Sequence, residues 1–196
     1  MQKKSLSHSP SGDFAREIPS YISVDVEASG PSPSQYSLLS IGACTIRKPR
    51  QTFYVELKPA SEDFVPEAMK VNKLSLEELR DRGIAPAEAM ARFEAWLQGL
   101  GGEKKLIFVG FNVPFDWMFV ADYFHRYLGR NPFGYSPLDI KAVYMGLRGV
   151  TWEESSLGYA IRRYLGNQPL THHALEDAEL QADIFEAMLN ELTTRR

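Results

Sequence analysis

Residues 21–30 read YISVDVEASG, and this stretch decides the architecture of the chain. β-Branched and aromatic residues dominate its first six positions, the composition of a strand. Strand side chains alternate between faces, so Asp25 and Glu27 share one face while Val24 and Val26 take the other. Two neighbouring carboxylates at the end of an apolar strand repel each other and lose hydration, a cost that a cation or a shared proton offsets. Ala28, Ser29 and Gly30 follow as small residues that let a ligand come close to the backbone. Taken alone, the triplet also suits an exposed strand end with two solvated acids, so the rest of the chain has to decide.

The chain has 196 residues, 44% hydrophobic and 24% charged, which places it among ordinary globular proteins with one sizeable core. Its net charge of −3 argues against a protein that coats or packages nucleic acid. It leaves room for an enzyme that grips a few nucleotides through metal ions. Cys44 is the single cysteine, so neither an intramolecular disulfide nor a cysteine zinc site is expected, and a reducing compartment follows. No apolar run approaches the roughly 18 residues of a membrane span, and residues 1–17 lack the apolar centre of a signal peptide. The expectation is a cytoplasmic protein without membrane contact. Residues 1–17 are polar and read as a disordered lead-in, with 18–196 as a single domain.

Outward from the first strand, residues 37–46 and 52–57 read as a second and third strand joined by the hairpin loop RKPRQ, which makes an antiparallel meander. Residues 65–74 and 75–82 read as short helices, the second opened by Ser75 with Glu78 three residues on, a capping box. Residues 85–100 form a longer amphipathic helix with Pro86 at its start and Met90, Phe93, Trp96, Leu97 and Leu100 on one stripe. The run 105–112 is apolar throughout and reads as a fourth strand buried on both faces. A helix from Pro114 to Leu128 follows. Residues 137–143 are taken as a fifth strand, with a helix a close competitor, and 156–165 and 174–192 as the final helices. The expected fold class is α/β, a mixed five-stranded sheet in which a meander is followed by parallel strands, with helices on both faces.

Two further sites accompany the first. Asn112-Val113-Pro114-Phe115-Asp116 lies where the fourth strand turns into a helix, and His172-His173-Ala174-Leu175-Glu176-Asp177 opens the last helix. Either acid alone merely complements a helix dipole. The order Asp-x-Glu, Asn-x-x-Phe-Asp, His-x-Ala-x-x-Asp over residues 20–192 resembles the DEDDh 3′–5′ exonucleases of the ribonuclease H-like superfamily, which include proofreading subunits, ribonuclease T and oligoribonuclease.

The resemblance implies a ribonuclease H-like sheet. It also implies that Asp25, Glu27, Asp116 and Asp177 hold two divalent cations, Mg2+ or Mn2+, for which oxygen ligands are suited. His172 is then the general base on the attacking water, its ordinary pKa lying near working pH. The implied reaction releases 5′-nucleotides from the 3′ end of single-stranded DNA or RNA. Ala28, Ser29, Asn112 and Phe115 are the implied substrate contacts. Phe111 departs from the family, many members having histidine there, as does Pro31-Ser32-Pro33, where many place a leucine against the terminal base. Asp139 is read as structural, His173 as a cap or surface group, and Arg162, Arg163 and Tyr164 as a solvated helix face. Single-stranded 3′ ends are the expected partners, and a homodimer and a polymerase-associated subunit are both left open. The rivals are an RNA-trimming enzyme, a scavenger of short oligonucleotides, and a catalytically silent binding module; clustered acids argue against the last.

Overall fold

The computed structural model describes residues 21–100 and 105–194, and the lead-in expected at 1–17 lies outside them. Among the described residues the strands are β1 (Tyr21–Ala28), β2 (Leu38–Thr45), β3 (Thr52–Glu56), β4 (Ile107–Gly110) and β5 (Leu138–Asp139). They form one sheet in the order β3-β2-β1-β4-β5, antiparallel between the first three and parallel from β1 to β4 to β5. The expected meander followed by parallel strands is what is found. Helices α1 (Pro66–Asn72), α2 (Leu76–Arg82), α3 (Pro86–Gly99), α4 (Pro114–Leu128), α5 (Ile140–Arg148), α6 (Leu157–Tyr164) and α7 (Ala174–Thr194) complete the described chain.

The fifth strand departs from the reading of 137–143. Only Leu138 and Asp139 pair with β4, and Ile140 already begins α5. Asp139 ends the strand because its side chain accepts the Lys141 N–H at 2.9 Å and caps the helix. The fourth strand is likewise shorter than its apolar run, since Phe111 to Val113 turn into α4.

Alternation along β1 divides the core in two. Ile22, Val24, Val26 and Ala28 pack with Phe93, Phe119, Tyr123 and Phe124 of α3 and α4 on one face. On the other face Cys44, Val109, Ile140, Ile161, Phe185 and Met188 join β2 and β4 to α5, α6 and α7. Asp25 and Glu27 point to this second face, at the end of β1 where apolar side chains stop. The register places Asp25 opposite Gly42 of β2, and Gly42 opposite Tyr54 of β3. Gly42 is required there, because a Cβ would overlap the Ala174 carbonyl at the start of α7. Its missing side chain lets the helix backbone rest on the sheet directly beside Asp25.

Candidate active site

The three motifs meet in a cleft of about 270 Å³ whose lining includes Asp25, Glu27, Asn112, Phe115, Asp116, His172 and Asp177. Asp25 and Glu27 arrive on alternate positions of β1. Asp116 comes from the first turn of α4, where Pro114 occupies an opening position. β4 pairs with β1 only as far as Ser23, so the edge of β1 beyond it is open, and Asp116 Oδ1 accepts the Val26 N–H there at 3.1 Å. That bond fixes the second motif against the first.

Asp177 lies in the first turns of α7 and reaches back along the chain. Its carboxylate accepts the Thr171 N–H at 3.3 Å and the His172 N–H at 3.1 Å, holding the approach loop over the cleft. His172 is exposed, with φ 56°, and Asn112 has φ 58°; both sit in the left-handed region that L side chains avoid. Asn112 tolerates it as asparagine does, and its N–H is held by Asp139 Oδ1 at 3.0 Å. Ligand atoms of Glu27, His172 and Asp177 all lie within 4.8 Å of one another.

The acids are not at ease together. Burial above all, and then the charges of Asp116, Glu27 and Asp177, hold the Asp25 carboxyl well above its ordinary range. Burial, then Asp177 and Asp116, push Glu27 up to about 8. Asp116 is also raised, by burial, against the opposing pull of the Val26 N–H. Among the described residues lining the cleft there is neither lysine nor arginine to relieve them. Four carboxylates sharing a cleft with no lysine or arginine among its described lining residues fit hard divalent cations, which take oxygen ligands and supply the missing positive charge.

Of the expected substrate contacts, Ala28 and Phe115 line a second, apolar recess of about 510 Å³ walled also by Val65, Ala68 and Val71 of the α1 segment. The cleft and the recess share Glu27 and Phe115 and are therefore continuous. Asn112 stands exposed at the cleft. Ser29 is not brought to the site. It is fully buried, its hydroxyl donating to Asp63 O at 2.9 Å and accepting the Ser37 N–H at 2.9 Å, so it braces the loop behind the recess. His173 does stand at the N-cap position of α7, its carbonyl accepting the Asp177 N–H at 3.0 Å, but it is half-buried rather than a surface group: its ring stacks on Tyr54 of β3, centroids 4.5 Å apart and planes 22° apart. Asp139 is structural as expected.

Gln181 was missed by the sequence reading. It is 2% exposed, donates Nε2–H to Asp25 Oδ1 at 2.6 Å and accepts the Phe111 N–H on Oε1 at 2.8 Å. One side chain thus ties the last helix to the first motif and to the turn of the second. The available signal was its spacing, four residues after Asp177 and so on the same face of α7.

Comparison with known proteins places this geometry. A family model described as Exonuclease (RNase_T) matches residues 22–185. The chain is 46% identical over 166 residues, 84% of its own length and 89% of the other, to the 3′-5′ DNA exonuclease Cap18 of Escherichia coli. Its fold superposes on cell-death related nuclease 4 (CRN-4) with a TM-score of 0.72 at 16% identity, covering 89% of this chain and 65% of that one. It superposes also on the nuclease domain of 3′hExo, a DEDDh family member bound to rAMP, with a TM-score of 0.68 at 15% identity, covering 87% and 92% respectively. With the motifs gathered in one cleft and the match running from β1 into α7, the chain belongs to the RNase_T family of exonucleases.

Proposed function

We propose that the protein is a metal-dependent 3′–5′ exonuclease that shortens single-stranded DNA by one 5′-nucleotide at a time. The observation that carries this reading is the convergence of Asp25, Glu27, Asp116, Asp177 and His172 on a cleft continuous with an apolar recess. DNA is favoured by the 46% identity to a relative named as a DNA exonuclease. Burial pushes the thiol of the free Cys44 up to about 12, which makes it an inert core cysteine; our cytoplasmic assignment rests on the single-cysteine composition alone.

The recess accepts the terminal nucleotide, with Phe115 offering its ring to the base and Ala28 keeping the floor shallow. The adjoining phosphodiester then lies over the carboxylates. Asp25, Glu27, Asp116 and Asp177 hold two divalent cations, Mg2+ or Mn2+. When bound, these supply positive charge to the phosphate and leaving oxygen and acidify the attacking water. His172 takes the proton of that water on a ring nitrogen, and its place on an exposed loop lets the proton pass on to solvent. Asp177 aims this base through the His172 backbone N–H, and Gln181 fixes the orientation of Asp25. Asn112, on the cleft rim, is placed to meet the phosphate.

The test is nucleotide release from matched single-stranded DNA and RNA carrying a 5′ label, with Mg2+ or with chelator. A ladder shortening from the 3′ end, faster on DNA, dependent on the cation and stopped by a blocked 3′ terminus is the expected result. Internal cleavage, or equal digestion with the 3′ end blocked, would overturn the reading.

A further inference from the structure

The proposed general base stands on a loop. His172 is exposed, has φ 56° and precedes α7, and a left-handed residue of this kind persists only where its surroundings over-determine it. One hold on the loop is Asp177, whose carboxylate accepts the Thr171 and His172 N–H groups. That carboxylate is also one of those proposed to hold the cations, so its oxygens serve two tasks. His173 gives the loop a second hold that the cations do not share.

The sheet register shows where that hold comes from. Directly opposed residues of antiparallel strands share a face, so Asp25, Gly42 and Tyr54 form one row beneath α7. The empty place at Gly42 receives the Ala174 carbonyl, which leaves Asp25 on one side of the helix start and Tyr54 on the other. His173, one residue before Ala174, lays its ring on the Tyr54 ring with centroids 4.5 Å apart. His173 Nδ1 is buried and makes no hydrogen bond among the described residues, so the ring contact rather than a polar bond at that atom seats the side chain. Tyr54 is fixed in turn. Its hydroxyl donates to Glu56 Oε1 at 2.9 Å, two positions along the same face of β3. Burial above all, and then Glu56, raise the phenol above its ordinary pKa and keep it a donor. Support thus runs from β3, which bears none of the three motifs, through Tyr54 and His173 to the neighbouring His172.

We propose that Tyr54 is a positioning residue for the general base: its ring, tethered by Glu56, seats His173 and thereby holds the imidazole of His172 over the cleft. The inference rests on the exonuclease reading. Tyr54 is absent from the described residues that line the cleft, so it acts on neither the strand nor the carboxylates directly. Its loss should therefore lower kcat and leave KM and cation affinity nearly unchanged. A residue that works only through the imidazole has no effect left once the imidazole is gone, and such coupling is what a double-mutant cycle measures.

The experiment measures kcat and KM on 5′-labelled single-stranded DNA in Mg2+, with Mn2+ affinity by calorimetry and thermal unfolding on each variant. Tyr54→Val and Tyr54→Thr remove the ring with residues suited to a strand, and Tyr54→Phe keeps the ring without the Glu56 bond. Val and Thr should each lower kcat about three- to tenfold, the contribution of an aromatic pair expressed as an equilibrium ratio. KM and Mn2+ affinity should move less than about twofold, and Tyr54→Phe should stay within about twofold of the unmodified rate, because the platform remains. Added to His172→Ala, Tyr54→Val should cost less than about a further twofold. An unchanged kcat in Val and Thr, a Phe variant as slow as Val, equal losses with and without His172, or a parallel loss of Mn2+ affinity refutes the positioning role and leaves the exonuclease reading intact. Unfolding of both Val and Thr variants assigns Tyr54 to the fold and refutes it as well. An unmodified protein that releases no nucleotide in Mg2+ refutes the exonuclease reading, and the positioning role with it.

Discussion

A carboxamide in place of a carboxylate keeps the shape of the side chain and removes its charge, which separates the metal-binding role of the acids from their packing. Asp25→Asn, Asp116→Asn and Asp177→Asn should each lower turnover by at least about 100-fold, more than is usual for losing a group that only supports a metal ligand. The metal-free stability of Asp25→Asn and Asp116→Asn should hold or rise, because burial and mutual repulsion already disfavour the ionised forms of these two acids. Calorimetric titration with Mn2+ checks the binding loss, and a variant with near-normal turnover removes that residue from the site. The two histidines divide differently. His172→Ala should lower kcat by about 10²–10⁴-fold, the range for a lost general base. His173 has no route to the water, its ring lying on Tyr54, but it anchors the loop on which His172 stands. His173→Phe, which preserves the stack, should retain most activity, and His173→Ala should lose part of it. Steady-state kinetics on one DNA substrate decides; a crippled His173→Phe with a mild His172→Ala would move the base by one residue.

At the scale of elements the site depends on how closely α7 approaches β2. Gly42→Ala would drive a methyl into the Ala174 carbonyl, so the helix must lift, at about 1–3 kcal/mol by the usual cost of overpacking. Asp177, His172 and Gln181 would move with it, and both thermal stability and turnover should fall together; unchanged kinetics would mean that the helix start adjusts without disturbing the cleft. This dependence also separates what could be read in advance from what could not. β1 alternates and α3 carries a stripe of period 3.6, while β2 and β3 were legible from their apolar, β-branched and aromatic content either side of the RKPRQ loop. The segment 137–143 was not, because an apolar run of that length fits either period, and the decision rests on the Asp139 cap and on how few residues β4 offers for pairing. That the acids and His172 would meet in one cleft was legible from their spacings within ordered motifs. Ser29 was misread because a small residue after a strand suits substrate approach and loop bracing equally, and only the partners at Asp63 and Ser37 distinguish them. Gln181 and the Tyr54–His173 stack arise from contacts between distant elements, which no local pattern encodes.

Across the whole molecule, the cleft stores a conflict between folding and charge whose sign can be worked out. Glu27 releases its proton near 4.5 when the chain is unfolded and near 8 when it is folded. Between those values the folded state binds more protons, so the free energy of unfolding declines as pH rises. The stability contributed by protonated Glu27 is complete below 4.5 and lost as pH passes through about 8. Asp25 and Asp116 are displaced in the same direction and add to the trend. A carboxyl displaced as far as Glu27 is worth up to about 5 kcal/mol across the window, against a total stability on the order of 5–15 kcal/mol for a folded domain. Divalent cations bind only the ionised acids, so they stabilise most at the alkaline end and should flatten or invert the profile. Urea denaturation at pH 5, 6.5 and 8 in chelator should show a falling midpoint, with Mg2+ or Mn2+ restoring it chiefly at pH 8. Glu27→Gln should make the chelator profile shallower and weaken the response to cation. A chelator profile that is level from pH 5 to 8 would show that the carboxylates share their charge with solvent in the metal-free protein, and the electrostatic case for a cation-dependent cleft would then fail.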